Sequence, residues 1–172
     1  MDVKVKHFEN GNIRYIEIRN EKGDFHNTEG PAYQSWYGNG QEAHRTHYVK
    51  GKIHNTEGPA TQEWYENGQE WARIYYVNNA LHNTEGPAYQ AWYENGQEHH
   101  KSYWLNGELH NTKGPATQVW SKDGKEKLKE YCLDGEYLTK TEWEKKVNSV
   151  EIECEGKTVT ISRESAKALN LI

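Results

Sequence analysis

The chain has 172 residues and a formal net charge of −5, which leaves room for one ordinary domain or for a short repeat array with a small appendix. Leu, Ile, Val and Phe account for only 26 residues, a level typical of disorder, but 7 Trp and 12 Tyr supply the large burial area that disordered chains lack. The acidic balance disfavours nucleic-acid binding without a local basic patch, and no window approaches the roughly 18 apolar residues of a membrane helix.

The two cysteines, Cys132 and Cys154, are too few for a disulfide scaffold, and a single bridge between them stays open from sequence. The N-terminal segment MDVKVKHFEN has no apolar core of signal-peptide length. Together these features predict a reducing, cytosolic setting.

The stretch HNTEGPA begins at His26 and returns at His54 and His82, and as HNTKGPA at His110, each time 28 residues further on. One unit reads GPATQEWYENGQEWARIYYVNNALHNTE. Within it, Asn67-Gly68 stands between two aromatic-rich runs, which predicts a two-residue hairpin turn with both residues at positive φ.

The same turn recurs along the chain and predicts five hairpins, centred near Gly11, Gly40, Gly68, Gly96 and Gly124. A second turn follows each outgoing strand, at Lys22-Gly23, Lys50-Gly51, Asn78-Asn79, Asn106-Gly107 and Asp134-Gly135. Asn79 takes the place of a glycine because asparagine tolerates a left-handed backbone. We therefore predict an all-β fold, an elongated and twisted antiparallel meander of 28-residue β-hairpin repeats.

Residues whose numbers add to 135 should face each other across the hairpin at Asn67-Gly68. The predicted pairs are Trp64 with Trp71, Gln62 with Arg73 and Ala60 with Tyr75, and their later equivalents include Trp92 with His99, Ala88 with Tyr103 and Ala116 with Tyr131. We assign a structural role to the tryptophan side of the sheet and to the turn glycines, namely Trp36, Trp64, Trp92, Trp120, Gly40, Gly68, Gly96 and Gly124.

The opposite side is predicted to carry tyrosines that each oppose a glutamate, Glu42, Glu70 or Glu98. Its other positions differ between units, so solvent or a partner constrains them. Tyr and Trp dominate protein interfaces because they contribute large area with few rotors to freeze. The candidate partner-binding residues are Tyr37, Tyr65, Tyr93, Tyr48, Tyr76, Trp104, His44 and His100. The alternative is that these rings only shield the backbone of a single-layer sheet.

The four linker histidines, His26, His54, His82 and His110, should lie about 10 Å apart because two strands separate them. That spacing is too wide for two of them to share a zinc ion, so we expect no metal site and no cofactor. We interpret His-Asn-Thr as a turn whose Asn and Thr side chains satisfy loop backbone groups. His99 and His100, as strand neighbours, should point to opposite faces.

A column of cations on the tryptophan side allows an alternative function, nucleic-acid binding with aromatic stacking. The column comprises Arg45, Arg73, Lys101 and Lys129. The competing interpretation is that cation–π contacts and pairing with glutamine inside the sheet explain it. No catalytic motif is present, so we expect no enzymatic activity and no catalytic residues.

Beyond Leu138 the period stops. Thr139, with Glu142 three residues later, predicts a capping box and a short helix. Alternation at Val150, Ile152 and Cys154, a turn at Gly156, and Val159 with Ile161 predict a hairpin, after which Ser162 caps a final helix. We divide the chain into a repeat array, residues 1–138, and a small α+β cap of helix, hairpin and helix, residues 139–172, which is expected to close the open sheet edge.

The pattern WYENGQ…YYVNNALHNTEGPA, over about residues 8–138, resembles the MORN-type repeat, in particular its longer bacterial antitoxin-like variant. The Gly-Pro-Ala linker is similar to that of phage and mobile-element proteins. The resemblance implies a scaffold, and with the residues above it leads us to expect a non-enzymatic inhibitor in the bacterial cytoplasm. Its partner would be a protein, either a toxin or a host defence effector, as for antitoxins or phage anti-defence proteins such as anti-CRISPRs, with no membrane involved.

Overall fold

The computed structural model describes residues 1–154 and 156–172, without the side chain of residue 154. It confirms the all-β fold and places two short helices near the C-terminus. In chain order the elements are β1 (Asp2–His7), β2 (Ile13–Arg19), β3 (Tyr33–Trp36), β4 (Glu42–Thr46), β5 (Tyr48–Val49), β6 (Lys52–Ile53), β7 (Thr61–Trp64), β8 (Glu70–Ile74), β9 (Tyr76–Val77), β10 (Ala80–Leu81), β11 (Tyr89–Trp92), β12 (Glu98–Ser102), β13 (Trp104–Leu105), β14 (Glu108–Leu109), β15 (Thr117–Trp120), β16 (Glu126–Leu133), β17 (Glu136–Leu138), α1 (Lys140–Val147), β18 (Ser149–Cys154), β19 (Lys157–Ser162) and α2 (Arg163–Ala168).

One antiparallel sheet of 11 strands forms the body of the protein, in the order β1-β2-β3-β4-β7-β8-β11-β12-β15-β16-β17. The remaining strands form two-stranded pairs, β5 with β6, β9 with β10, β13 with β14 and β18 with β19. Each central repeat thus contributes one long hairpin to the large sheet and one minimal hairpin outside it, and the HNTxGP linker returns the chain to the sheet.

The first turn of each repeat is not the predicted two-residue turn. Only Gly68 has positive φ, at +83°, and its N–H donates to the carbonyl oxygen of Tyr65 at 2.9 Å. The Tyr65 N–H donates to the carbonyl oxygen of Gln69 at 2.8 Å, which closes a three-residue loop. This is a type I turn followed by a left-handed glycine, and the side chain of Asn67 supports it by accepting from the Gln69 N–H at 2.9 Å.

The geometry with two residues at positive φ occurs instead at the second turn. Asn78 and Asn79 have φ of +54° and +70°, and Lys50-Gly51, Asn106-Gly107 and Asp134-Gly135 are also both positive. Asparagine at position 79 thus occupies the left-handed conformation, as predicted. The Oδ1 atom of Asn79 also accepts from the Ile53 N–H at 2.7 Å, which links the second turns of neighbouring repeats.

The extra loop residue changes the register at the end of every hairpin. Gln62 pairs with Arg73 as predicted, but Trp64 pairs with Glu70, and Trp71 is left as a β-bulge. The same shift makes Trp92 pair with Glu98 and not with His99, so these two predicted tryptophan pairs are wrong. The predicted alanine pairs lie beyond the ladders, where Ala60, Ala88 and Ala116 donate to the carbonyl oxygens of Ile74, Ser102 and Glu130.

All four repeat tryptophans lie on one side of the sheet. A continuous cross-strand row of alternating amides and cations shares that side, namely Gln34, Arg45, Gln62, Arg73, Gln90, Lys101, Gln118 and Lys129. Each repeat tryptophan stands two residues after one of these glutamines on the same strand, so it points the same way. We call this side the Trp face.

The buried core is thin and is lined mainly by small residues. The alanine that ends each linker is fully buried at all four positions, Ala32, Ala60, Ala88 and Ala116. Among the described residues, a cluster with larger side chains lies where the last two repeats meet, and there Leu109 and Cys132 pack with Ala116 and the half-buried Trp104. Cys132 is free, and burial raises the pKa of its thiol, while the side chain of Cys154, its candidate partner, lies outside the described residues. Hydrogen bonds between repeats therefore contribute much of the specificity of this fold.

The C-terminal segment forms the predicted elements, but it does not close the sheet edge. Thr139 and Glu142 form the capping box of α1, and Ser162 caps α2. Trp143 of α1 packs its ring 5.2 Å from that of Tyr131. The hairpin β18–β19 forms its own sheet, and within the described residues no strand pairs with the outer edge of β16 at 126–130. Exposed lysines on this edge disfavour strand addition, as lysines do on many natural edge strands.

Replacing Asn79 with alanine should lower the free energy of unfolding by roughly 1 to 3 kcal/mol. Alanine is strained at positive φ, and the acceptor for the Ile53 N–H is lost. Asn79→Gly is the matched control, because it loses the same hydrogen bond without the strain and should cost less. Urea denaturation followed by tryptophan fluorescence measures both, and equal losses would contradict a backbone contribution at this position.

Candidate functional site

The Trp face is organised by a hydrogen-bonded group of four side chains in each repeat. Gln62 Nε2 donates to Glu70 Oε1 at 2.9 Å, and Arg73 Nη2 lies 2.5 Å from Glu70 Oε2. The guanidinium of Arg73 lies over the ring of Trp92 in the next repeat, 5.5 Å from its centroid. Glu42, Glu70 and Glu98 therefore belong to the Trp face, because the bulge shifts them opposite tryptophans, and the prediction that they oppose tyrosines is wrong.

The other cations of the column repeat this arrangement, except that Lys129 has the glutamate and the glutamine but no tryptophan ring from the residues that the structure describes. Arg45 lies 4.8 Å from the centroid of the Trp64 ring, and Lys101 lies 4.9 Å from that of Trp120. Lys129 lies 2.8 Å from Glu126, and this hydrogen bond, followed by that from Gln118, lowers the pKa of the Glu126 carboxyl. The predicted cation–π contacts are thus confirmed for Arg45, Arg73 and Lys101, and cross-strand pairing with a glutamine is confirmed for all four cations.

The tyrosines that begin the first turns form hydrogen bonds from each repeat to the next one. The Tyr37 hydroxyl donates to the carbonyl oxygen of Trp64 at 2.7 Å, and Tyr65 and Tyr93 make the equivalent bonds to Trp92 and Trp120 at 2.9 and 3.0 Å. Burial, followed by the nearby Glu94 carboxylate, raises the pKa of Tyr65, so its phenol stays protonated and able to donate. These half-buried rings therefore have a structural role in addition to the partner-binding role predicted for them.

The other candidate partner-binding residues also make contacts within the array. His44 Nε2 lies 2.6 Å from Thr46 Oγ1, and the His100 ring lies 4.9 Å from that of Tyr89. Tyr48 stacks on Phe25 at 5.0 Å, and Trp104 Nε1 donates to Ser102 Oγ at 2.7 Å. Tyr76 is half-buried in β9. Such contacts within the chain agree better with the alternative that these rings shield the sheet than with a surface left free for a partner.

The side chains left unpaired at the β-bulges, which we call the bulge column, were not among the predicted site residues. The bulge column presents one additional side chain in each of the five hairpins, and the residue differs each time: Arg14, Ala43, Trp71, His99 and Lys127. Trp71 is 36% exposed, and the His99 ring lies 4.5 Å from that of Tyr93. Bulges are enriched next to functional sites because they re-aim a side chain. The variation between repeats was visible in the sequence, but the assumed turn placed Trp71 opposite Trp64.

The linkers are held by their asparagines and histidines. In each linker the asparagine side chain donates to the carbonyl oxygen of the proline four residues later and accepts a backbone N–H two residues later, as in Asn83 with Pro87 and Glu85. Threonine side chains such as Thr84 contact the neighbouring glutamate, so the predicted turn is confirmed for asparagine and not for threonine.

Each linker histidine also contacts the second turn of the next repeat. Nδ1 of His26, His54 and His82 accepts the N–H of residues 50, 78 and 106 at 3.1 to 3.2 Å. Nδ1 of His110 lies 3.2 Å from the backbone nitrogen of Asp134 and 2.7 Å from its Oδ1, so it contacts the same turn. In the described part of the chain, no three His, Cys, Asp or Glu side chains are grouped closely enough to hold a metal ion.

Comparison of the chain with protein-family models, with curated proteins and with solved structures finds no match. Neither helix of the described residues has the length and apolarity needed to span a bilayer.

Replacing Tyr65 with phenylalanine should lower the free energy of unfolding by about 0.5 to 1.5 kcal/mol, because the hydroxyl that bonds the Trp92 carbonyl is lost. Tyr137→Phe is the control, since its ring is 65% exposed. Equilibrium urea denaturation compares the two variants. If both behave like the wild type, the hydroxyl contacts between repeats do not stabilise the array.

Replacing His47 with tyrosine should make the protein less sensitive to acid. Burial, followed by the charge of Arg45, lowers the pKa of the half-buried His47. Its contribution to stability is complete above the unfolded pKa of about 6.5 and is lost as the pH falls towards the lower folded pKa. Tyrosine occupies the equivalent position at Tyr75, Tyr103 and Tyr131.

The measurement is the difference in Tm between His47→Tyr and the wild type at about pH 7.5 and about pH 5.5. We expect the variant to gain relative stability at the lower pH, and the linker histidines, present in both proteins, cancel in the comparison. A difference that is the same at both pH values would contradict this account of His47.

Proposed function

We propose that this protein is a non-enzymatic scaffold that binds another protein and blocks it, in the cytoplasm of a bacterial cell. An antitoxin-like or phage-encoded anti-defence role, such as that of an anti-CRISPR, is the form of inhibition we favour. The resemblance of residues 8–138 to MORN-type repeats supports the scaffold role, because such repeats present an extended surface. The partner surface is proposed from the geometry of the array.

The observation that carries the proposal is the exposed tryptophan in the middle of the bulge column. Trp71 is 36% exposed on a sheet where three of the recurring tryptophans, Trp64, Trp92 and Trp120, lie beneath cations of the preceding repeat. Tryptophan is among the residues most enriched at the energetic centre of protein interfaces. The neighbouring bulge positions carry other residues, as expected when a partner and not the array determines them.

The surroundings of this column favour binding with little reorganisation. Tyr65 and Tyr93 are fixed by their hydrogen bonds to the next repeat, and their half-buried rings leave part of their area free. Ordering of side chains on binding costs free energy, so rings that are already fixed keep more of the contact energy. The first turns and the bulge column together form the surface that we propose for the partner.

The alternative, nucleic-acid binding through the cation column, receives less support. Arg45, Arg73 and Lys101 already contact a glutamate of their own strand and a tryptophan of the next repeat. A phosphate would have to displace those contacts, whereas single-strand binders offer free cations and rings. Titration with an oligonucleotide at low salt tests this alternative, and salt-sensitive binding would favour it.

Replacing Trp71 with alanine should abolish partner capture and leave the fold intact. The wild-type protein, Trp71→Ala and Tyr137→Ala are immobilised and exposed to bacterial lysate, and captured proteins are quantified by mass spectrometry. We expect one protein to be retained by the wild type and by Tyr137→Ala, the exposed aromatic control, and depleted roughly tenfold or more by Trp71→Ala. Its affinity and activity are then measured with purified protein.

Two outcomes would contradict the proposal. One is capture of the same proteins by all three immobilised proteins, which would show that Trp71 is not part of the interface. The other is a partner whose activity is unchanged when this protein saturates it, which would contradict the proposed inhibition. Circular dichroism of Trp71→Ala confirms that loss of capture is not loss of fold.

A further inference from the structure

Successive linkers enclose equivalent grooves on one side of the array. One groove of about 660 Å³ lies between the second and third linkers, with Tyr75 and Gln90 in its lining. The next, of about 500 Å³, lies between the third and fourth linkers and contains Tyr103 and Gln118, each 28 residues further along. The segment Asn83–Pro87 is the wall common to both. The array therefore repeats one groove with the period of the fold.

Hydrogen bonds within the array fix the linkers that form the groove walls. The asparagine of each linker bonds the backbone on both sides of its turn, and His82 Nδ1 accepts the Asn106 N–H at 3.1 Å. The linker backbone is also bonded to the neighbouring repeat, for example from the Asn83 N–H to the Trp104 carbonyl oxygen at 3.1 Å. Binding in such a groove requires little ordering of the protein.

The lining combines an aromatic ring with proline and glycine walls and polar groups. Tyr75 and Tyr103 are half-buried, and Pro87 and Pro115 stand beside the grooves. Aromatic grooves of this kind recognise polyproline II segments, whose rings pack on the aromatic surface. The backbone carbonyls of a polyproline II helix are not bonded internally and so remain available to donors in the groove.

The spacing of the grooves also matches this ligand. Two strands of about 4.8 Å each separate equivalent positions, which gives a period of about 10 Å. A polyproline II helix rises about 3.1 Å per residue with three residues per turn, so the same face of the ligand returns after about 9 Å. A segment of about six residues can thus present one turn to each of two neighbouring grooves.

The charge of the grooves specifies the ligand further. Glu57 and Glu85 line the groove between the second and third linkers and are exposed, and within the described residues neither forms an ion pair. The next groove is lined by Glu85, by Lys113 and by Lys101, whose ammonium is paired with Glu98, so the acidic character is concentrated in the first of the two grooves. The fourth linker carries Lys113 at the equivalent position, so the acidic wall ends at Glu85. Basic side chains at every third ligand position would face this wall.

We propose that the linker grooves bind a basic polyproline II segment of a partner protein. This inference rests on the proposed function only in that the ligand is a polypeptide, and it uses a different surface from the bulge column. The probe is a synthetic peptide of three Arg-Pro-Pro units. The controls are three Arg-Gly-Gly units, which keep the charge and lose the conformation, and three Glu-Pro-Pro units, which keep the conformation and reverse the charge.

Titration is followed by fluorescence anisotropy and by amide chemical shifts of the full chain. We expect the Arg-Pro-Pro peptide to shift amides within 55–58, 82–87 and 110–115. The Arg-Gly-Gly peptide should bind roughly tenfold more weakly, because it must lose chain entropy on binding, and the Glu-Pro-Pro peptide should not bind. Equal affinity for the Arg-Pro-Pro and Arg-Gly-Gly peptides, or shifts outside the linkers, would overturn the proposal.

Two linker variants test the acidic wall in opposite directions. Glu85→Gln removes charge from the wall shared by both grooves and should weaken binding roughly threefold to tenfold, while Glu66→Gln, on an exposed first turn, should not change it. Lys113→Glu restores the sequence of the other linkers and should strengthen binding by a similar factor. Because it is a gain, that result cannot come from unfolding, and no change in either variant would overturn the proposal.

These results are separable from those for the bulge column. If the captured partner depends on Trp71 and the Arg-Pro-Pro peptide leaves the linker amides unshifted, the groove proposal fails and the proposed function stands. If the Arg-Pro-Pro peptide occupies the grooves as described and Trp71→Ala leaves capture unchanged, the groove proposal is supported. The proposal that the bulge column binds the partner is then contradicted.

Discussion

Contact between consecutive repeats is the constraint on which the rest of this structure depends. A single hairpin here has almost nothing to bury, because the linker residues enclosed at its base are alanines. Each outgoing strand pairs with the next incoming strand, each first-turn tyrosine donates to the next tryptophan carbonyl, and each linker histidine contacts the following second turn. Stability in such an array is a sum of repeat and neighbour terms, and here the neighbour terms are the specific ones.

This constraint divides the residues of each repeat into two groups. Those that recur, the Gln, Glu and cation of the Trp face and the Asn and His of the linker, have polar atoms bonded inside the array. Those that change from repeat to repeat, above all the bulge column, stand where the array needs no particular side chain. A partner surface on a repeat protein of this kind is therefore found at the irregular positions, because the regular ones maintain the ribbon.

The two proposed surfaces share a physical basis. Both include groups already fixed by contacts between repeats, the first-turn tyrosines in one and the linker backbone in the other, so these groups lose little freedom on binding. The two surfaces differ in the number of equivalent contacts that they offer. The bulge column offers one strong aromatic contact at Trp71, whereas the grooves offer the same weak contact more than once. Repetition adds affinity only when the ligand has the same period, so spacing matters for binding to the grooves and not for binding at Trp71.

The sequence by itself determined the period, the five hairpins, the left-handed position at Asn79, both helix caps and the interpretation of the cations, because each depends on residues close in sequence or on identical spacing. Only the tertiary structure decided the first-turn geometry, the bulge, the face of Glu70 and the place of the C-terminal hairpin. Asn-Gly is compatible with a loop of two or of three residues, and a register shift of one residue exchanges the faces of a strand. Trp143 packs against Tyr131, twelve positions earlier in the chain, and such a contact leaves no periodic trace in the sequence.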